Sequence, residues 1–212
     1  MPQVRIENTT LELLPEKAIY VEATKTIIVA DLHWGKTGHF RKNGIAIPLN
    51  TQHADETKLS KLVKRHKAER LIVAGDFFHS HANNETDGFA HWRTAHKELQ
   101  IELVTGNHDI LPKEHYSAWD VLVHDTICDE GDFVISHDEL QNSDKFYLHG
   151  HIHPSCKVSG NGRMGITLPC FCMNKQKMAM PAFGGFTGSK RINPRHYNGI
   201  YIIAEDEVIQ WK

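Results

Sequence analysis

Five apolar runs rich in Val, Ile and Leu recur between residues 26 and 153, and each ends in Asp, Asn or His. They are TIIVADLH (26–33), RLIVAGDFFH (70–79), IELVTGNHD (101–109), DFVISHD (132–138) and KFYLHGHIH (145–153). Continuous apolar runs of this length are typical of strands that are covered on both faces. The pattern therefore predicts a sheet whose strands bring polar side chains to one edge.

Helical patterns lie between the first three runs. The segment LNTQHADETKLSKLVKRHKAE (49–69) places Leu59, Leu62 and Val63 on one face and has Asn50 or Thr51 near its cap. A second helix is predicted over DGFAHWRTAHKEL (87–99). The stretch HSHANNETDG (79–88) is the most loop-like part of the chain and is predicted to be a loop.

The later part of the chain is strand-like and ends in a predicted hairpin with its turn near residues 205–207. Strand–helix units followed by antiparallel strands predict an α/β protein with a mixed sheet or two stacked sheets. A chain of 212 residues is expected to form one domain, here residues 1–212.

Charge and cysteine content indicate the cellular compartment and the kinds of partner to expect. Lys plus Arg number 24 and Asp plus Glu 26, for a formal net charge of −2, which gives no electrostatic argument for a nucleic-acid partner. The N-terminus lacks the features of a signal peptide, and no apolar run approaches the roughly 18 residues of a membrane span. We therefore expect a cytoplasmic protein without a membrane partner, with reduced core thiols at Cys128, Cys156, Cys170 and Cys172.

Seven polar side chains stand at or near the ends of the five runs: Asp31, His33, Asp76, Asn107, His137, His151 and His153. Open α/β sheets build their sites from loops at the carboxyl ends of strands, so we expect these side chains to converge. Carboxylate, amide oxygen and imidazole together suit manganese, iron, nickel or zinc. One ion does not need so many protein ligands, whereas two ions that share a bridging carboxylate would use them.

These motifs, in this order, resemble those of the calcineurin-like metallophosphoesterases: Asp31-x-His33, Gly75-Asp76, Gly106-Asn107-His108-Asp109, His137 and Gly150-His151-x-His153. The resemblance implies a four-layer αββα sandwich, with two central sheets flanked by helices and a dinuclear centre at one end. It also implies the ligand sets: Asp31, His33 and His153 on one ion, Asn107, His137 and His151 on the other, and Asp76 bridging. Mn²⁺ is the expected metal, with Fe, Ni and Zn as alternatives.

Such a centre serves phosphoryl transfer, because two ions activate water and neutralise charge on the phosphate oxygens. By the same resemblance, His108 binds no metal and faces the leaving group as proton donor or charge stabiliser, oriented by Asp109. The alternative is that His108 only supports the ligands around it.

Two further stretches, ADLHWGKTGHFRKNGIAIP (30–48) and LPCFCMNKQKMAMPAFGGFTGSKRI (168–192), resemble the PdeM-type ligase-associated DNA damage response endonucleases. This resemblance implies cleavage of DNA, single-stranded DNA in particular, and a functional association with a DNA ligase and a helicase. His79 ends the motif GDFFH and is similar to a histidine of the SbcD-type DNA repair nucleases that positions the DNA phosphate. The alternative for His79 is a surface-loop residue beside His81.

Trp34 departs from the PdeM pattern, which has an aliphatic residue at that position. It either lines the substrate path and stacks on a base, or it is a core or rim aromatic residue. The basic residues of the two stretches form either a phosphate-binding rim or ordinary solvated charge: Lys36, Arg41, Lys42, Lys190 and Arg191.

Three hypotheses about function follow. The first is a dinuclear-metal-dependent phosphodiesterase acting on nucleic acid, a DNA endonuclease of repair. The second is a phosphatase or small-molecule phosphodiesterase acting on nucleotides or other phosphate esters. The third is a non-catalytic interaction module of the same fold, which predicts eroded ligands, whereas here none is missing. The first two share one centre, and only His79 and the two stretches separate them in the sequence.

Overall fold

Seven strands form the first sheet in the computed structural model, which describes residues 1–34, 50–78, 84–159, 165–185 and 187–212. In chain order and in spatial order they are β1 (Gln3–Ile6), β2 (Thr9–Leu14), β3 (Ala18–Val21), β4 (Thr26–Ala30), β5 (Arg70–Ala74), β6 (Gln100–Val104) and β7 (Val121–His124). The strands from β1 to β4 pair antiparallel, whereas those from β4 to β7 pair parallel. The carboxyl ends of β4, β5 and β6 therefore meet at one edge.

Nine strands within the described ranges form the second sheet. They are β8 (Ile127–Asp129), β9 (Phe133–Ser136), β10 (Phe146–His149), β11 (Pro154–Ser159), β12 (Gly165–Met173), β13 (Lys177–Ala179), β14 (Lys190–Arg191), β15 (Gly199–Ala204) and β16 (Glu207–Gln210). The spatial order is β14-β11-β12-β13-β10-β9-β8, with β15 beside β12 and β16 beside β15. Because β9 and β10 are parallel, their carboxyl ends also share an edge.

The described α-helices pack on the first sheet. They are α1 (Asn50–His66), α2 (Asn84–Ala95) and α3 (Lys113–Ala118), and two short 3-10 turns cover Glu22–Thr24 and Pro194–His196. Leu59 and Leu62 of α1, Phe89 and Trp92 of α2, and Tyr116 of α3 lie in one buried cluster with side chains of β4, β5 and β6. The helices thus cover the face of the first sheet that is remote from the second sheet.

A second buried cluster fills the space between the two sheets. Ile28 of β4 and Ile72 of β5 contribute to it from the first sheet, and Ile135 of β9 and Leu148 of β10 from the second. Their strand neighbours, such as Val29, belong instead to the helix-side cluster, since side chains alternate across a sheet. Burial on both faces is the physical reason that these strands are continuously apolar.

The expected α/β class with two stacked sheets is confirmed, and so is the C-terminal hairpin of β15 and β16. The prediction that 79–88 forms a loop was wrong for 84–88, since α2 begins at Asn84. Residues 96–99, predicted as helix, instead make turns, with Leu99 N donating to His96 O. None of the described helices is long and apolar enough to cross a membrane.

Candidate active site

Five of the seven predicted ligands adopt a left-handed backbone. The φ angle is 51° at Asp31, 47° at His33, 50° at Asp76, 65° at His151 and 45° at His153. A residue with a Cβ atom loses about 1–2 kcal/mol in this conformation. Backbone strain of this kind concentrates at functional sites, where the surrounding structure maintains it. The turns after β4, β5 and β10 therefore hold these side chains in defined directions at some expense of stability.

The loops that follow β4 and β5 run side by side and continue the parallel pairing of the two strands. His33 N donates to Asp76 O over 2.8 Å, and Trp34 N donates to Phe77 O over 2.7 Å. These backbone bonds fix the distance between the carboxylate that follows β5 and the imidazole that follows β4.

The side chain of His137, from the second sheet, packs directly against the backbone of Gly75, which follows β5 of the first sheet. Gly75 has a φ of 78°, and a Cβ atom added there would lie 2.0 Å from His137 Nδ1. The His137 ring, at the end of β9, therefore occupies the space that any other residue would need at position 75.

Asp31, His33 and His153 form the first predicted ligand set. Asp31 is fully buried, and its carboxylate accepts from His151 N over 3.0 and 3.1 Å. His153 Nε2 lies 3.3 Å from Asp31 Oδ1, while His153 Nδ1 lies 2.9 Å from the carbonyl oxygen of Gly188. An imidazole that donates through Nδ1 to a carbonyl presents a lone pair at Nε2, as metal-binding histidines do.

His137, Asn107 and His151 form the second predicted set. His137 Nδ1 lies 3.2 Å from the carbonyl oxygen of Ala74, which again leaves Nε2 as the lone-pair atom when Nδ1 donates. That Nε2 lies 3.0 Å from Asn107 Oδ1 and 3.0 Å from His151 Nδ1. Three atoms able to bind a cation thus meet at one place.

Asp76 lies between the two sets. Its Oδ2 is 3.8 Å from His33 Nε2 and its Oδ1 is 3.6 Å from His137 Nε2. The side chain is buried, with 3% of the residue exposed. One carboxylate oxygen therefore faces each set, which is the arrangement that a bridging ligand requires.

The residues present fit divalent metal ions. Three groups each place their ligand atoms within 4.8 Å of one another: Asp31 with His33 and His153, Asp31 with Asp76 and His137, and His137 with Asp138 and His151. Carboxylates and imidazoles clustered in this way, buried in two of the groups and partly exposed in the third, suit cations of intermediate hardness. The individual ligand assignments stay predictions, but the structure brings all seven side chains together.

His108 and Asp109 lie in the loop after β6. The His108 ring is edge-on to His33, with centroids 5.6 Å apart. The Asp109 carboxylate accepts from Gly106 N over 2.9 Å and from Phe77 N over 2.8 Å, and burial raises its pKa to about 6. Asp109 thus ties the loop that carries His108 to the loop that follows Asp76, a contact through which it can orient His108.

The structure describes only some of the residues that were predicted to contact the substrate. His79, Lys36, Arg41 and Lys42 lie outside the described residues. Trp34 is 4% exposed, and its ring contacts Phe89 and Trp92 at centroid distances of 5.3 and 5.5 Å. Of the two alternatives for Trp34, the core role agrees with this burial.

Lys190 and Arg191 are exposed on β14, and Lys190 N donates to His153 O over 3.0 Å. Asp138 was not among the predicted site residues, yet its Oδ1 lies 3.5 Å from His151 Nδ1. The only signal for Asp138 in the sequence was its position directly after His137.

The family model for calcineurin-like phosphoesterases matches residues 24–171 of the chain. The chain therefore belongs to the calcineurin-like phosphoesterase family, as its motifs predicted. Membership supports hydrolysis of phosphate esters as the class of activity and, with the clustered Asp and His side chains, a dinuclear metal site.

Among solved structures, the nuclease MPE of Pseudomonas putida is 31% identical, has a TM-score of 0.84, and is matched over 99% of this chain and 98% of that chain. AQ665, a protein of unknown function from Aquifex aeolicus, is 20% identical with a TM-score of 0.43 over 60% of this chain and 78% of that chain. Yfce, a phosphoesterase from E. coli, is 10% identical with a TM-score of 0.46 over 87% and 96%. No curated protein matches the chain.

Proposed function

We propose that this chain is a dinuclear-metal-dependent phosphodiesterase that cleaves nucleic acid, acting as an endonuclease on single-stranded DNA in repair. One observation carries the proposal: Asp76 presents one carboxylate oxygen to each of two imidazole groups, His33 and His137. The similarity to a nuclease over nearly the whole chain supports nucleic acid as the substrate class. The PdeM-like stretches 30–48 and 168–192 support DNA.

In this proposal seven side chains would hold the two ions, with Asp76 shared: Asp31, His33 and His153 on one side, Asn107, His137 and His151 on the other. When bound, two divalent ions, Mn²⁺ first and Fe, Ni or Zn as alternatives, activate water and neutralise charge on the phosphate oxygens. The left-handed turns and the carbonyl acceptors of Ala74 and Gly188 fix the imidazoles before any ion arrives.

His108 is assigned the proton transfer to the leaving oxygen. Its backbone N–H donates to Asp76 Oδ1 over 2.9 Å, so the loop that carries the ring is fastened to the centre of the site. Asp109 holds the same loop from its other end through Gly106 N. A positioned imidazole of this kind acts as a general acid without binding metal.

A polynucleotide phosphate carries two ester links and one negative charge, so it offers cations fewer anionic oxygens than a phosphomonoester does. Additional groups of the protein must then position the strand. We assign this to His79, which follows Phe78 directly, and to Lys36, Arg41 and Lys190 on flanking phosphates. Because Lys190 N donates to the His153 carbonyl, the backbone of Lys190 lies beside the candidate active site.

The test is a manganese-supplemented assay on labelled single-stranded DNA, duplex DNA, a cyclic nucleotide and a nitrophenyl phosphomonoester. The matched variants are His79→Ala and His81→Ala, two residues apart in one segment. We expect manganese-dependent internal cleavage of single-stranded DNA that falls sharply in His79→Ala and persists in His81→Ala. Hydrolysis of the small diester should survive better than DNA cleavage in His79→Ala and should be unchanged in His81→Ala.

Efficient phosphomonoester hydrolysis without DNA cleavage would establish the phosphatase alternative instead. An equal loss of both activities in His79→Ala would remove its DNA-specific role without touching the metal assignment. The association with a DNA ligase and a helicase and the cytoplasmic location stay predictions from the sequence. Co-purification of the tagged chain with those two proteins tests the association.

A further inference from the structure

A second cluster of metal-binding side chains lies away from the strand ends that form the candidate active site. Glu102 sits midway along β6 and His124 ends β7, both in the first sheet, while Cys128 lies on β8 of the second sheet. Glu130 follows β8 in the chain, and Arg70 begins β5. The cluster therefore joins the two sheets at the edge where β7 and β8 lie.

Arg70 holds one oxygen of each carboxylate in this cluster. Arg70 Nε donates to Glu102 Oε1 over 2.5 Å, and Nη1 donates to Glu130 Oε2 over 2.7 Å. Gln100 Nε2 donates to the same Glu102 oxygen over 2.7 Å. These donors orient the two carboxylates through Glu102 Oε1 and Glu130 Oε2, and leave Glu102 Oε2 and Glu130 Oε1 for other contacts.

The remaining oxygens face Cys128. Cys128 Sγ lies 3.6 Å from Glu102 Oε2 and 3.4 Å from Glu130 Oε1. His124 Nε2 lies 2.7 Å from Glu102 Oε2. The ligand atoms of Glu102, His124 and Cys128 are all within 4.8 Å of one another. Glu130 reaches this group through Cys128, with its Oε1 3.4 Å from Sγ.

The charges in this cluster favour a cation. Glu102 and Glu130 bring two negative charges to a site where Glu102 is 2% exposed, and Arg70 supplies only one positive charge. If the Cys128 thiol ionised as well, a divalent ion and the Arg70 guanidinium together would neutralise all three anionic groups. Burial and the two carboxylates raise the pKa of the Cys128 thiol to about 12, so without such an ion the thiol keeps its proton.

We propose that Glu102, His124, Cys128 and Glu130 form a structural zinc site that clips the first sheet to the second. Thiolate, imidazole and carboxylate are the ligand types of Zn²⁺, and four of them complete the tetrahedral coordination of a structural site. Arg70 donates to the far oxygen of each carboxylate, and its Nη2 also lies 3.7 Å from Cys128 Sγ. Hydrogen-bonding partners that orient ligands in this way raise metal affinity. Binding releases the thiol proton to solvent as the zinc–sulfur bond forms. The side chain of His124, 26% exposed, gives the ion access from solvent.

Cobalt titration tests this site independently of the candidate active site, because none of the seven ligands predicted there contains sulfur. Co²⁺ added to the chelator-treated full-length chain should give a near-ultraviolet thiolate-to-cobalt charge-transfer band. One equivalent of Zn²⁺ beyond the amount that fills the active site should abolish the band. The readout requires no enzymatic activity.

The matched variants are Cys128→Ala and Cys170→Ala, which both remove a buried thiol. The band should disappear in Cys128→Ala and persist in Cys170→Ala, with circular dichroism as the check on folding. His124→Ala, at a partly exposed position, keeps the thiol and should weaken cobalt affinity more than about tenfold. A wild-type chain without the band, a band that persists in Cys128→Ala, or unchanged cobalt affinity in His124→Ala would each overturn the proposal.

Discussion

Gly75 shows how a single residue determines the shape of the site. It combines a φ of 78° with a position where an added Cβ atom would lie 2.0 Å from His137 Nδ1. Gly131 shares the left-handed backbone, with a φ of 81°, but has nothing within 4 Å of an added Cβ atom. The two glycines therefore separate the cost of the backbone conformation from the cost of the collision.

We predict that Gly131→Ala destabilises the chain by about 1–2 kcal/mol, from the backbone alone. Gly75→Ala should cost about 1–3 kcal/mol more, because the His137 ring must move out of a packed site. It should also lower the metal content, which Gly131→Ala should leave unchanged. Chemical unfolding and metal analysis of the two variants check this, and equal effects would contradict the account of Gly75.

His108 and Asn107 are adjacent in the chain but are assigned different tasks. His108→Ala should keep near-normal metal content and slow turnover by roughly 10²–10⁴, the usual worth of a positioned proton transfer. Asn107→Ala should lose metal, because its Oδ1 lies beside His137 Nε2. The turnover rate and the metal content of both variants should be measured. Loss of metal in His108→Ala would remove it from the assigned role.

Much of the site was visible in the sequence at the residue scale. Asp31, Asp76 and His137 could be found because each follows a buried apolar strand, and parallel strands end at a common edge. The left-handed conformation at Asp31 and Asp76 could not, because it depends on the loop-to-loop backbone bonds beyond β4 and β5. Asp138 was missed since a lone exposed carboxylate after a histidine carries no pattern.

At the scale of elements, α2 is stabilised by aromatic packing rather than by its own sequence. Phe89 and Trp92 lie against Trp34, and Phe89 also meets Phe77 and Phe78, with ring centroids between 5.0 and 5.5 Å. These contacts hold the middle of the helix against the first sheet, while the helix itself begins at Asn84, in a stretch that sequence propensity marks as a loop. Tertiary packing overrides local preference here.

Trp34 allows a test of this packing. Trp34→Ala should destabilise the chain by about 3–5 kcal/mol, the usual loss for a buried aromatic ring. Trp211→Ala, at a position 42% exposed, should change stability by less than about 0.5 kcal/mol. Trp34→Phe should leave affinity for single-stranded DNA unchanged, because the ring is buried in the core. A selective loss of DNA affinity in Trp34→Phe would restore the base-stacking alternative.

Several secondary-structure elements could not be predicted from sequence patterns. The two residues of β14 pair with β11 and have no pattern of their own. The strands β1, β2 and β3 before the first apolar run, and α3 with its six residues, were also missed, although β1 and β3 are as long as the predicted β9 and β10, and β2 is longer. Each is fixed by a neighbour in space, which periodicity along one segment does not record.

At the scale of the whole molecule, the net charge of −2 does not attract a polyanion, so local basic groups must do so. Lys190 and Arg191 are exposed on β14, beside His153. Lys145 precedes β10 and pairs with Asp129 Oδ1 over 2.8 Å, at the opposite end of that strand from His151. Position relative to the site therefore distinguishes these cations, although all are exposed.

The salt dependence of DNA binding measures this difference. For single strands each phosphate contact contributes a slope of about 0.7 in log affinity against log salt. The double variant Lys190→Ala with Arg191→Ala should lower that slope by up to about 1.4, measured without divalent ions so that no cleavage occurs. Lys145→Ala should leave the slope unchanged. An unchanged slope in the double variant would mean that these two residues carry ordinary solvated charge.

The central claim is that one site gathers seven side chains around two metal ions bridged by Asp76. The most direct test is a crystal structure of the Mn²⁺-loaded chain with anomalous scattering recorded for manganese. We predict two anomalous peaks about 3.5–4 Å apart, with Asp76 bound to both. The side chains on the two ions should be Asp31, His33, His153, Asn107, His137 and His151. A single peak, or a pair of peaks with three or more of these side chains remote from them, would contradict the account.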